Sequence, residues 1–311
     1  MAPGKSGWHD AGMTLDQLRV FVAVAERQHV TQAAAALHLA QSAVSAAIAA
    51  LEARHGTKLF HRVGRGIELT EAGSLFLAEA RAVLARAEAA ELILSELGGL
   101  KRGTLAVYAS QTIAGYWLPR HLVAFRQLHP GISIRLTIGN TAQVAAAVRQ
   151  GSADIGFLEG VIDEPALVAE RIARDQVLVV VGAEHPWCRL DRFEPAWLAE
   201  TDWVLREPGS GTRSVFEDAL KDFGLSPADV RIALELPSNE AVRAAVETGF
   251  GATVISASVA ASGIEAGLLH HVPVILPERA FYAVRHAERH TSKAAATLLA
   301  MLAGRPPTRP G

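Results

Sequence analysis

The sequence predicts a mixed fold: a small helical module closed by a β-hairpin, then one long helix, then a larger α/β domain. Three observations predict it. Apolar residues recur at helical spacing in three short segments before Gly56. From Glu71 to Leu97 the chain carries no Pro and no Gly after Gly73. Beyond Thr104, short apolar runs alternate with helical stretches, the texture of a sheet with helices on both faces. At 311 residues the chain exceeds one ordinary compact domain, so at least two are expected.

Residues 1–12 are polar and contain Gly and Pro, without the apolar stretch of a signal peptide, and read as a loose tail. Residues 13–70 form the first module. Leu15 to Glu26 places Leu18, Phe21, Val22 and Ala25 on one helical face. Thr31 is a good N-cap for a second helix ending at Leu37. After the break His38-Leu39-Ala40, a third helix begins at Gln41, with Val44, Ile48 and Leu51 inward, and stops near Gly56. Two short helices about so tight a break make a helix-turn-helix pattern. Lys58 to Thr70 has two short apolar runs around a tip containing Gly64 and Gly66, which predicts a hairpin placed as a wing.

Residues 71–99 read as a linker helix. Phe76, Ala80, Val83, Ala87, Ala90, Leu94 and Leu97 repeat at 4-3-4-3-4-3 spacing, an a/d seam that predicts pairing with a second copy of the chain. Gly98 and Gly99 end the helix.

Residues 104–304 form the α/β domain, with expected strands at Leu105–Tyr108, Ile132–Ile138, Ile155–Leu158, Val177–Val181, Trp203–Leu205 and Ala252–Ile255. Helices are expected at Leu118–Leu128, Thr141–Gln150, Thr212–Phe223 and Asn239–Thr248, and the alternation predicts a mainly parallel sheet. Arg305 to Gly311 is a Pro-rich tail.

Composition limits the function. Half of the residues are hydrophobic, a fifth are charged and the net charge is −2, so any nucleic-acid role must rest on a local site. The single cysteine, Cys188, permits no intrachain disulfide and no cysteine-rich zinc site, which fits a reducing, cytoplasmic setting. No apolar run approaches the ~20 residues of a membrane span. The sequence has no P-loop, no His-Glu-x-x-His and no Gly-x-Gly-x-x-Gly opening a βα unit. Pro208-Gly-Ser-Gly-Thr212 is not a nucleophile elbow, because Pro208 and Thr212 stand at its outer glycine positions. No metal, cofactor or enzymatic activity is therefore expected.

Gln41, Ser42 and Ser45 lie near the start of the third helix and off its inner face, where a docked helix-turn-helix meets base edges. Taken alone, they are equally ordinary first-turn residues of a solvated helix. Arg62 and Arg65 on the wing suit phosphate or a minor groove. In the α/β domain three strand-to-helix turns carry small polar residues: Ser110-Gln111-Thr112, Asn140-Thr141 and Gly209-Ser210-Gly211-Thr212. Helix starts beyond strand ends favour anions, although each turn by itself is also a plain cap. Arg206 and Arg213 flank the third turn.

The N-terminal third resembles the LysR-type transcription regulators. The pattern stands here as Leu15-x-x-Leu18-x-x-Phe21, Ala25-Glu26, Thr31-x-Ala33-Ala34-x-x-Leu37, Gln41-Ser-Ala-Val-Ser45, Ile48-x-x-Leu51-Glu52, Gly56-x-x-Leu59-Phe60-x-Arg62-x-x-Arg65 and Leu69-Thr70-x-Ala72-Gly73. Pro130-Gly131-Ile132, Gly151-x-Ala153-Asp154-Ile155-Gly156, His185-Pro186 and Gly249-x-Gly251 extend the likeness over almost the whole chain. The Ser110-x-Thr112 and Arg206–Arg213 segments look most like the branch of carbon-dioxide-fixation and sulphur-assimilation regulators.

The resemblance implies a winged helix-turn-helix and a two-lobed effector domain like type 2 periplasmic binding proteins. Lobe one would span about 104–173 and 273–304, and lobe two 174–272. It implies sequence-specific binding of promoter DNA, with Thr31, Gln32, Gln41, Ser42, Ser45, Arg62 and Arg65 at the interface. It also implies a small effector, here an anion, at Ser110, Gln111, Thr112, Asn140, Thr141 and Gly209 to Thr212. Dimers assembling into tetramers, and contact with RNA polymerase, follow from the same likeness. Ala40, Ser42 and Ala46-Ala47 depart from the family pattern and remove possible DNA contacts, which moves weight to the wing and to DNA shape. A solute-binding or enzymatic α/β protein is the rival reading.

Overall fold

The computed structural model describes residues 12–63, 66–96, 103–160, 163–190 and 192–304. The chain divides into two compact units, Met1–Leu92 with Gln150–Ser152, and Ile93–Arg149 with Ala153–Gly311.

In the first unit α1 (Leu15–Arg27) starts at a capping box in which Thr14 and Gln17 each accept the other's backbone N–H. Leu18, Phe21 and Val24 are buried. α2 (Val30–Leu37) is capped two residues earlier than the sequence suggests, because Gln28 turns into the left-handed region and leaves His29 extended. His29 Nδ1, not Thr31, accepts the Gln32 N–H at 3.4 Å, so Thr31 lies inside the first turn. α3 (Gln41–His55) follows with no side-chain cap at Ala40, and it buries Val44 and Leu51.

The wing is the antiparallel pair β1 (Phe60–Val63) and β2 (Gly66–Leu69), with Arg62 opposite Ile67. One carboxylate ties it to α3. Glu52 Oε1 accepts the N–H of Leu59 at 2.9 Å and of Phe60 at 3.2 Å, while Oε2 meets Lys58 Nζ at 2.6 Å. α4 (Glu71–Glu96) then crosses beneath the wing at Gly73, where any Cβ would collide with the carbonyl oxygen of Leu59.

The second unit holds two five-stranded sheets. The chain runs β3 (Gly103–Ser110), a π turn (Ile113–Trp117), α5 (Leu118–Leu128), β4 (Ile132–Gly139), α6 (Thr141–Gln150), β5 (Ile155–Glu159) and β6 (Leu167–Asp175). It crosses to β7 (Val177–Gly182), β8 (Asp202–Arg206), α7 (Gly211–Asp222), β9 (Arg231–Leu236), α8 (Asn239–Glu247), β10 (Ala252–Ser256), α9 (Ala257–Glu265) and β11 (Leu269–His271). It then returns through β12 (Arg279–His286) and α10 (Lys293–Leu302). The first sheet has order β4-β3-β5-β12-β6 and the second β11-β7-β10-β8-β9.

The sheets are less parallel than the sequence predicts. β12 runs antiparallel to β5 and β6, and β7 runs antiparallel to β10 and β11, where the chain passes between lobes. Each sheet is covered on both faces. Leu105, Phe125 and Phe157 pack on one side of the first, with Val144, Val148 and Leu158 on the other. Trp203 and Phe216 pack on one side of the second, with Val180, Val242 and Ile255 on the other. This layering places the carboxyl ends of β3, β4 and β8 where α6, α7 and α8 begin.

Candidate nucleic-acid interface and effector cleft

On α3 the exposed face carries Gln41, Ser42 and Ser45, with the methyl groups of Ala46 and Ala49 beside them. A cleft of about 400 Å3 brings three of the expected DNA residues together, since Thr31, Gln41 and Arg62 share its wall with His29 and Gly66. Gln32, Ser42 and Ser45 are exposed but do not line it. Arg19, Arg27, Lys58 and Arg81 each have a carboxylate partner. Arg62 is exposed and makes no ion pair among the described residues, which leaves its guanidinium available to phosphate. Arg65 lies outside the described residues.

The expected seam on α4 needs a correction in its first turns. Phe76 packs on Phe21 with ring centres 4.8 Å apart, and Ala80 is buried against Leu18, Leu51 and Leu59. Both serve the chain's own core. A seven-residue apolar repeat cannot distinguish a partner helix from a core in its own unit. Val83 is 43% exposed, Ala87 is half-buried and Ala90 is exposed. Leu97 and the side chain of Leu94 lie outside the described residues.

The three polar turns of the α/β unit converge between its lobes. Thr112, from the first lobe, accepts hydrogen bonds from Asn239 Nδ2 of the second at 3.1 Å and from Arg279 Nη2 at 3.4 Å. Arg279 is buried, and its Nη1 reaches Thr212 Oγ1 at 2.9 Å while its Nε donates to Asp175 at 2.7 Å. Ser256 donates to the same Asp175 carboxylate at 2.7 Å, and Glu159 lies 3.8 Å from Arg279 Nη2. Gln111 spans the lobes too, giving its amide to Pro237 O at 2.7 Å and accepting the Asn239 N–H at 3.0 Å.

At the third turn, Arg206 holds Glu207 in a fork of 2.8 and 2.9 Å, and its Nη1 donates to Asn239 Oδ1 at 2.6 Å. Asn140 Nδ2 reaches the same Glu207 from the first lobe at 3.1 Å. Burial by itself would raise the Glu207 carboxyl, but the Arg206 hydrogen bonds and charge, with help from Asn140, hold it below the usual carboxylate range. Gly211 stands where a Cβ would press on Thr141 Oγ1 and Glu159 O at 2.8 and 2.9 Å, so its bare backbone is what lets the lobes meet. Arg213 pairs with Glu217 and Glu235, and its Nη1 also donates to the Arg206 carbonyl oxygen at 3.2 Å.

Plain capping does not account for these turns. Thr112 and Ser210 make no capping bond, and Thr141 directs its hydroxyl at Glu159. Asn140 alone behaves as a cap, accepting the Gln143 N–H at 2.9 Å. Ser110 is 3% exposed and its hydroxyl has no partner among the described residues. A buried hydroxyl in that state is costly unless something else completes it.

Sequence reasoning missed Arg279, Asp175, Glu159, Asn239 and Glu207 as site residues. Their signal is a polar residue at the very end of an apolar run, as at Arg174-Asp175-Gln176 and Pro277-Glu278-Arg279. Among the described residues no group of His, Cys, Asp or Glu side chains is arranged to hold a metal, and no single helix is long and apolar enough to cross a membrane.

Residues 15–74 match the family model described as "Bacterial regulatory helix-turn-helix protein, lysR family", and residues 98–306 match "LysR substrate binding domain". The chain is 35% identical over 284 residues to the "Uncharacterized HTH-type transcriptional regulator YeiE" of Escherichia coli K12, covering 91% of this chain and 94% of that one. It is 33% identical over 293 residues to a "Probable RuBisCO transcriptional regulator" of Cyanidioschyzon merolae, covering 93% and 97%. Among solved structures, the Synechocystis CcmR regulatory domain in complex with 2-PG superposes with a TM-score of 0.60 at 25% identity, covering 65% of this chain and 97% of that one. The relatives are regulators rather than enzymes, and they include the carbon-dioxide-fixation branch. From its helix-turn-helix to its two-lobed α/β domain, the chain belongs to the LysR family of bacterial transcription regulators.

Proposed function

We propose that the chain binds promoter DNA through Thr31, Gln32, Gln41, Ser42, Ser45, Arg62 and Arg65, and that a small anion held between the lobes of the α/β unit controls that binding. The effector residues would be Ser110, Gln111, Thr112, Asn140, Thr141 and Gly209 to Thr212. The observation that carries the effector reading is Ser110, a buried hydroxyl without a partner at the strand end next to Gln111 and Thr112. Two buried guanidinium groups, Arg206 and Arg279, support it, as does the 2-PG held by the Synechocystis regulatory domain.

The protein would act in the cytoplasm as a dimer that assembles into a tetramer, with α4 supplying part of the pairing surface through Val83 and the residues after it. Two recognition helices would then face a partly symmetric site. The anion would act by binding two arrangements of the lobes or subunits unequally, which alters the bend of the DNA and the contact with RNA polymerase.

Fluorescence anisotropy of the purified protein tests this reading, using DNA from upstream of its own gene and unrelated competitor DNA at fixed salt. Binding that survives competitor and shifts on addition of carboxylate, phosphate or sulphur oxyanions is expected. Binding erased equally by competitor, or indifferent to every anion, overturns it.

A further inference from the structure

We propose that Glu207 is a tethered anion that occupies the effector's place on Arg206, and so sets which ligands the cleft accepts. The proposal rests on the anionic-effector reading and adds a specificity-determining residue to it.

Arg206 is 3% exposed at its side chain and Glu207 is 23% exposed, so the carboxylate stands between the guanidinium and solvent. It takes both parallel N–H groups of the fork, the geometry in which an arginine would grip a carboxylate or oxyanion ligand. It also takes the Asn140 amide from the opposite lobe. Two residues on, the Gly209 carbonyl accepts the Ala142 N–H at 3.2 Å in the first turn of α6. The Glu207-Pro208-Gly209 turn of the second lobe therefore supplies the negative ends that the first lobe's helix start and Arg206 call for. Gly209 sits at a φ of +86°, a conformation that suits glycine and aims that carbonyl across the cleft.

A carboxylate one residue from its guanidinium partner is present at high effective concentration. A ligand displaces it only by making contacts that Glu207 lacks. Ser110, whose hydroxyl has no partner among the described residues, precedes Gln111, which accepts from the same Asn239 that Arg206 holds, and on the anionic-effector reading it is one such contact. An anion with several oxygens can take the Arg206 fork and reach a further donor together. A single-atom anion such as chloride cannot. Displacement also frees the Asn140 amide and leaves the Gly209–Ala142 backbone bond as the tie that remains at this turn among the described residues, so occupancy of the cleft is coupled to the strength of this edge.

The test compares the full-length protein with Glu207→Gln and Glu207→Ala, titrated with inorganic sulfate and inorganic phosphate by calorimetry at constant ionic strength. Chloride serves as the reference anion. Asp218→Asn is the control, since it removes the same charge from α7 at an exposed residue that pairs with Lys221 instead. Both Glu207 variants should bind sulfate or phosphate about tenfold tighter than the parent, as expected when a competitor that fills the site about nine-tenths of the time is removed. Asp218→Asn should not. A variant at position 207 that binds these anions no better than the parent overturns the proposal, whatever the parent does. If the parent's DNA affinity responds to an anion while the variants gain nothing, only the role of Glu207 falls. If the variants gain affinity while no anion alters DNA binding, the tether stands and effector control falls.

Discussion

Arg279 and Asp175 are cross-strand neighbours at the ends of β12 and β6, and the Arg279 Nε donates to Asp175 Oδ2 at 2.7 Å where the chain passes between lobes. The same guanidinium reaches Thr112 of one lobe and Thr212 of the other. It is the point at which both lobes share one buried charge. Replacing Arg279 with Met should cost about 3–5 kcal/mol in denaturant unfolding of the α/β unit, because Asp175 and Glu159 would stay buried without their cation. A loss below about 1 kcal/mol would show that the network is not holding the unit together.

Ser110→Ala separates stability from binding. Removing a buried hydroxyl that has no partner should leave the protein equally stable or stabilise it by up to about 1 kcal/mol. The same change should weaken the response of DNA binding to the effector anion. A clear loss of stability, seen in the melting temperature, would mean that the hydroxyl already has a partner.

Glu52 makes the wing depend on pH. Burial would raise its carboxyl, but Lys58 and the N–H groups of Leu59 and Phe60 hold it below the usual value. A depressed folded value adds stability that is complete above the unfolded value of about 4.3 and is lost as pH falls through the lower folded value. Lys58 is the leading partner but is 77% exposed and screened by solvent, and the two backbone donors add to it from the buried side. Glu52→Gln should therefore flatten the acid limb of the stability curve of the N-terminal unit, and Glu52→Ala should cost about 3 kcal/mol near neutral pH. Identical acid limbs for parent and Glu52→Gln would refute the assignment.

Arg62→Ala should weaken binding to specific and unrelated DNA alike, and should reduce the slope of log K against log salt by about one. An unchanged slope would remove Arg62 from the phosphate contacts.

Val83→Lys tests the paired helix without touching the core that holds Phe76 and Ala80. Light scattering should show a smaller assembly than the parent, with the circular dichroism of the N-terminal helices intact. A parent-sized mass would place the pairing surface elsewhere.

Much of this architecture is legible in the sequence, and the exceptions have identifiable causes. α1, α3 and the wing carry clean apolar periods, so their positions follow from spacing alone. β6 and β9 do not, because they are sheet edges with residues such as Glu170, Arg171, Arg231 and Glu235 turned to solvent, which erases the strand signal. His29 as a cap was hidden because imidazole is not among the preferred capping groups. In the cleft, the turns with Ser, Thr and Gly stand out as local patterns. Arg279 and Asp175 are separated by 104 residues, and only the return of β12 beside β6 makes them a pair. A sequence read locally has no term for that.

That return also fixes an order of events during synthesis. Among the described residues β6 pairs only with β12, and β12 lies between β5 and β6 in the first sheet. The strands of the second sheet, β7 to β11, all fall between residues 177 and 271 and can assemble as the ribosome delivers them. The first lobe starts earlier and finishes later: β6 waits as an unpaired edge while more than a hundred residues are added. Until Arg279 has emerged from the ribosome, the second lobe can therefore close while the first stays open, with the shared guanidinium not yet in place.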